Sequence, residues 1–192
     1  MARLGFYYNQ DNCIGCRACQ IACLDRNDLP VGSLYRHVVS FETGAYPAAS
    51  VYHYSVSCNH CEKPACVATC PAGAMQKTED GTVQRDADKC IGCGTCVKNC
   101  PYEVPILLED QHISGKCDSC KSFRDQGKNP VCVDACPMRA LDFGDLDELA
   151  AKYGKETVNA LPILPSPDQT NPSLLITPRK AALATDYKSF IV

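Results

Sequence analysis

The chain has 192 residues, of which 16 are cysteine and none is tryptophan. Leu, Ile, Val and Phe together make 40 residues, about a fifth of the chain and close to the floor below which chains fail to build a hydrophobic core. Formal charge is −3, which leaves no basic footprint for nucleic acid, and no apolar run approaches the roughly 20 residues of a membrane span. Cohesion must therefore come from the cysteines, as a disulfide scaffold, a zinc protein or a cluster protein.

Residues 1–5 carry neither the apolar stretch of a secretory signal nor a twin-arginine pair. Leu4–Asn9 reads as a strand, with Asp11 at the turn into the first cysteine group, Cys13-x2-Cys16-x2-Cys19-x3-Cys23. Residues 24–57 are long for a linker. Their β-branched and aromatic content (Tyr35, Val38, Val39, Phe41, then Val51, Tyr52, Tyr54, Val56) predicts a hairpin around Gly44. The second group follows, Cys58-x2-Cys61-x4-Cys66-x3-Cys70 with Pro71. Asp80-Gly81 then marks a hairpin turn between β-capable segments at 75–77 and 82–84. The third group is Cys90-x2-Cys93-x2-Cys96-x3-Cys100 with Pro101, and the fourth is Cys117-x2-Cys120-x11-Cys132-x3-Cys136 with Pro137. Residues 121–129 fill the long loop of the fourth group and are polar enough to be exposed. Beyond it, Asp145-x-x-Glu148 is a capping-box pattern that opens a short helix with Leu146, Leu149, Ala150 and Tyr153 on its apolar side and Gly154 at its end. Residues 161–178 hold five prolines among apolar residues. They predict an extended arm that lies on a partner subunit.

All sixteen cysteines fall into four complete groups. Groups one and three have the cysteine spacing of two-cluster bacterial ferredoxins, and groups two and four are the same run with a longer loop. Three thiolates from Cys-x2-Cys-x2-Cys converge on three corners of a cubane, and the fourth cysteine, a helical turn further on, reaches the neighbouring cluster. Gly15, Gly92 and Gly94 let backbone amides approach sulfur, and Ile14 and Ile91 give an apolar lid. Disulfides need no fourfold repeat of one spacing. Structural zinc takes two separated pairs. A radical-SAM loop needs Cys-x3-Cys-x2-Cys, and Rieske centres need two histidines; His37, His53, His60 and His112 read as loop or strand residues instead. The nine tyrosines read as sheet packing rather than an electron relay. Four [4Fe–4S] clusters is the expectation.

The hairpin between groups two and three is the connection of a two-cluster ferredoxin, so these groups pair and groups one and four pair around them. One cluster then takes Cys13, Cys16, Cys19 and Cys136, and its neighbour takes Cys117, Cys120, Cys132 and Cys23. The inner module holds Cys58, Cys61, Cys66 and Cys100, then Cys90, Cys93, Cys96 and Cys70. The fold class follows as α+β, with two nested bacterial-ferredoxin-like modules, a β-hairpin insertion and an extended C-terminal arm. The outer module spans 1–57 and 101–145, with its insertion at about 24–57. The inner spans 58–100, and the helix and tail span 146–192. Each oxidised cubane with its thiolates carries about −2, which brings the loaded chain to about −11.

No phosphate loop, nucleotide fingerprint or activated nucleophile is present, so the chain reads as a non-catalytic carrier of single electrons. The order of the groups resembles the four-cluster ferredoxin-like subunits of molybdopterin oxidoreductases. The strings Ser57-Cys-Asn-His-Cys61, Cys90-Ile-Gly-Cys93, Cys100-Pro-Tyr102, Lys116-Cys117, Asn129-Pro130 with Cys132, and Cys136-Pro-x-Arg-Ala-Leu-Asp-Phe-Gly144 look closest to the iron–sulfur subunit of dimethyl sulfoxide reductase. The likeness covers residues 4 to about 155 well and the tail loosely. The resemblance implies the same nested pairing, a large catalytic subunit carrying molybdenum or tungsten pterin, and a quinol-oxidising integral membrane subunit in an anaerobic respiratory chain. The alternatives are the electron-transfer subunit of a formate dehydrogenase or hydrogenase-type complex, and a free polyferredoxin-like carrier. Without an export signal the expected compartment is the cytoplasm. The resemblance implies instead co-export with the catalytic subunit and membrane association through partners on the periplasmic or outer face.

Overall fold

Phe6, Tyr7 and Tyr8 are each buried, so the first strand, β1 (Leu4–Asn9), is covered on both faces. In the computed structural model, which describes residues 3–154 and 156–190, β1 is the middle of a three-stranded sheet. It pairs antiparallel with β8 (Leu141–Asp145), Phe6 opposite Phe143, and parallel with β9 (Leu174–Thr177), Phe6 opposite Leu174. The Tyr7 ring stacks on Tyr153 with centroids 3.5 Å apart, its hydroxyl sits 2.8 Å from Thr177 Oγ1, and the Tyr8 hydroxyl donates to the His53 carbonyl.

A second sheet is built on the hairpin of β2 (Arg36–Thr43) and β3 (Ser50–Ser57), with β10 (Lys188–Phe190) along its outer edge. Two short hairpins follow. β4 (Met75–Lys77) pairs with β5 (Val83–Arg85), and β6 (Ile106–Leu108) with β7 (Ile113–Gly115). β5 starts one residue later than its β-propensity predicts because Thr82 stays in the turn, its amide and hydroxyl both donating to the Asp80 carboxylate.

The helices are short because their job is to carry cysteines. α1 (Ala18–Arg26) holds Cys19 and Cys23, α2 (Ala65–Ala68) holds Cys66, α3 (Thr95–Asn99) holds Cys96, and α5 (Val131–Asp134) holds Cys132. α4 (Lys121–Arg124) lies in the long loop of the fourth group. α1 packs on α5 and α2 on α3, so helices of groups one and four meet, as do those of groups two and three. α6 (Leu146–Tyr153) is capped as its sequence predicts: the Asp145 carboxylate accepts from the Asp147 amide at 2.9 Å, and Gly154 follows at positive φ.

The expectation that the tail is an extended arm lying on a partner subunit is corrected in one respect: the tail packs on its own chain. Residues 161–190 fold back on their own chain, as β9 beside β1 and β10 beside β2, and Leu161, Leu174, Ile176 and Ala182 are buried. The physical reason is that β1 has two edges and an apolar side chain on each face. A parallel strand from the tail satisfies both its amides and its burial.

Candidate cluster-binding sites

Each cysteine group folds the same way. The second residue after the first cysteine has positive φ in all four: Gly15 (71°), His60 (44°), Gly92 (67°) and Ser119 (54°). This left-handed step costs a residue with a Cβ about 1–2 kcal/mol, and it curls the chain into a loop. Glycine is required at 15 and 92 for a second reason, since a Cβ would strike the His53 ring at the first and the His112 carbonyl at the second. The third cysteine then enters a helical turn. In the three groups where proline follows the fourth cysteine, proline cannot continue that helix. There the amide three residues on donates back to the cysteine carbonyl: Gly73 to Cys70, Glu103 to Cys100 and Arg139 to Cys136, each at positive φ. The first group has Leu24 at that position, and α1 runs on to Arg26.

These loops bring the cysteines together in fours. Cys13, Cys16 and Cys19 line a cleft with Cys136. Cys58, Cys61 and Cys66 line one with Cys100, and Cys90, Cys93 and Cys96 one with Cys70. The remaining four, Cys23, Cys117, Cys120 and Cys132, are all buried, and Cys23, Cys117 and Cys132 lie in one core cluster. Burial pushes the thiols of Cys23 and Cys66 up to about 12. None of the sixteen forms a disulfide. Among the described residues no three Cys, His, Asp or Glu side chains stand close enough to hold a single metal ion.

A model of 4Fe-4S dicluster domains matches residues 49–146, and a 4Fe-4S binding domain model matches residues 10–26. The chain is 39% identical to the B subunit of anaerobic dimethyl sulfoxide reductase from Haemophilus influenzae, over 100% of this chain and 97% of that one. It is 41% identical to the subunit of the same name in Escherichia coli, over 91% and 88%. Similarity extends to the thiosulfate reductase electron transfer subunit PhsB of Salmonella typhi, 41% identical over 73% and 75%. This chain belongs to the family of anaerobic dimethyl sulfoxide reductase B subunits.

It is an iron–sulfur electron-transfer subunit with [4Fe–4S] clusters, and sixteen cysteines are consistent with four of them. Among the described residues no helix is long and apolar enough to cross a membrane. The surroundings of the sulfurs suit anionic clusters. Backbone amides point at thiols: Ser119 N to Cys117 at 3.3 Å, Ala140 N to Cys136 at 3.2 Å and Ser114 N to Cys90 at 3.5 Å. Hydroxyls do the same, with Ser55 Oγ 3.5 Å from Cys19 and Thr95 Oγ1 3.3 Å from Cys93. Such donors stabilise negative charge on sulfur and help set reduction potential. His60, between two cysteines, is a structural residue of the loop: its Nδ1 accepts from the Val83 amide at 2.9 Å.

Three residues near the sulfurs escape sequence reasoning. Thr170, from the tail, lines the cleft of Cys58, Cys61, Cys66 and Cys100, and its hydroxyl donates to the Tyr102 hydroxyl at 3.3 Å. Lys116 lines the same cleft, buried, with its ammonium donating to the carbonyls of Val83 and Cys117. Arg36 is fully buried in β2. Lys116 stands in the sequence as the neighbour of Cys117 in one of the strings that carry the resemblance, and Arg36 falls in phase with Val38 on the side of its strand that faces inward.

Proposed function

We propose that the four cysteine sets are four [4Fe–4S] ligand sets in two nested pairs. The outer module, residues 1–57 and 101–145, binds one cluster through Cys13, Cys16, Cys19 and Cys136 and a second through Cys117, Cys120, Cys132 and Cys23. The inner module, residues 58–100, binds one through Cys58, Cys61, Cys66 and Cys100 and another through Cys90, Cys93, Cys96 and Cys70. The observation that carries this is the lining of the three clefts, each with three cysteines from one group and the fourth from its partner group. The hairpin of β2 and β3 is then an insertion into the outer module. Each centre supplies one reversible one-electron couple.

Adjacency orders the four sets. α1, with Cys19, packs on α5, with Cys132, joining the first two sets, and Cys58 packs against the core cluster that holds Cys117, joining the second to the third. α2 against α3 joins the third to the fourth. The buried set of Cys23 and Cys117 lies inside the series, whereas Cys16 and Cys93 at its two ends are exposed. Exposed Ile14 and Met138 flank the first end and Ile91 the other. Such ends suit electron exchange with two different partners.

This geometry and the relatives' names support a place in a reductase complex, and the resemblance in the cysteine strings implies its partners. The chain passes electrons between a large molybdopterin catalytic subunit (molybdenum or tungsten) and a quinol-oxidising integral membrane subunit, in a dimethyl sulfoxide reductase-type complex. Membrane association comes through those partners, on the outer face after co-export. The test is the native mass of the chain in anaerobic extracts. The expected result is co-migration with a much larger chain containing molybdenum or tungsten; migration alone near 20.9 kDa identifies a free carrier instead.

A further inference from the structure

Arg36 is 1% exposed, and among the described residues no carboxylate pairs with it. Its Nη1 donates to Ser55 Oγ at 2.9 Å and reaches the Ser55 carbonyl at 3.4 Å, while Nε and Nη2 are buried with no partner. The guanidinium lies over the Phe6 ring, 4.6 Å from its centroid. A buried, unpaired cation with orphaned donors is strongly unfavourable unless an anion faces it. The groups that do face it are thiols of both outer sets: Cys132, Cys19, Cys117 and Cys23. Ser55 Oγ, already holding an N–H of Arg36, is 3.5 Å from Cys19 Sγ, and Cys132 lies in the same buried core cluster as Cys19.

We propose that Arg36 is a fixed cationic bridge between the two outer clusters, reaching the Cys19 cluster through Ser55 and the Cys132 cluster through its charge alone. It is a positioning residue that acts through the ligands. Each reduction adds one negative charge to a set, and a permanent positive charge between two sets stabilises both reduced forms. Arg36 therefore raises the reduction potentials of these two clusters together and leaves the inner pair alone. Ser55 carries the effect to one of the two.

The inference rests on Cys19 and Cys132 serving different clusters, which Cys19→Ser and Cys132→Ser establish independently of Arg36. If both abolish the same electron paramagnetic resonance signal, the ligand reading fails, whatever Arg36 does. With the two signals assigned, redox titration of the intact complex follows for Arg36→Met, Arg36→Lys and Ser55→Ala. In Arg36→Met both outer midpoints are expected to fall while the inner pair stays. In Arg36→Lys the fall is smaller, and in Ser55→Ala it is confined to the Cys19 cluster. Loss of outer iron in Arg36→Met that Arg36→Lys prevents supports the same role, because charge is then what retains the thiolates. Unmoved outer midpoints with iron retained overturn the proposal. So do equal shifts in all four clusters, or equal iron loss in the Met and Lys variants.

Discussion

Stripping the iron from the purified chain abolishes its tertiary structure. Eight of the sixteen cysteines are buried, and four of these, Cys19, Cys66, Cys96 and Cys136, line clefts. Arg36 and Lys116 are buried near the same sulfurs. Without anionic clusters these cations lose their counter-charges, at a cost of about 3–5 kcal/mol for each uncompensated charge. Against a total stability of about 5–15 kcal/mol, two such losses and several empty clefts exceed what a chain with so few large apolar residues retains. Cysteine must lose its proton to ligate iron, so iron binding displaces protons, and cluster retention weakens as pH falls. Near-ultraviolet circular dichroism of the tyrosines before and after chelation checks this. The signal is expected to vanish on chelation, and a chelated chain that keeps its native spectrum contradicts it.

The second large effect lies in the tail. Replacing Leu174 and Ile176 together by alanine unfolds the chain even with iron supplied. Both are buried in β9, which covers β1, and each truncation of a buried Leu or Ile to Ala costs about 2–5 kcal/mol. Removing residues 161–192 goes further, because it also takes Thr170 from the cleft that Cys61 lines and β10 from the edge of β2. Iron content and proteolytic resistance of the double variant are expected to collapse together. A stable, fully loaded double variant would show that the sheet survives without β9.

Much of the fold was legible where the signal was local. Leu4–Asn9, the hairpin about Gly44 and the helix opened by Asp145 all depend on alternation, turn residues and caps within a dozen positions. The spacing of the cysteines was legible for the same reason, since each group builds its own loop. The tail was not. Its prolines correctly announce extended chain, but nothing local says that Leu174 comes to rest opposite Phe6, a parallel pairing across nearly the whole sequence. Arg36 and Lys116 were missed for a related reason: a lone cation reads as surface until long-range folding buries it, and only the anionic guest explains why it is there. The β6–β7 pair was overlooked because Ile113–Gly115 is too short to show periodicity.

The nested pairing is the centre of the account, and Cys136→Ser tests it most directly. Cys136 is far in sequence from Cys13, Cys16 and Cys19, yet it lines their cleft. Electron paramagnetic resonance of the reduced complex should show the same single cluster damaged in Cys136→Ser as in Cys13→Ser, with both inner signals intact. Damage instead to a cluster that depends on Cys58 or Cys90 would contradict the pairing.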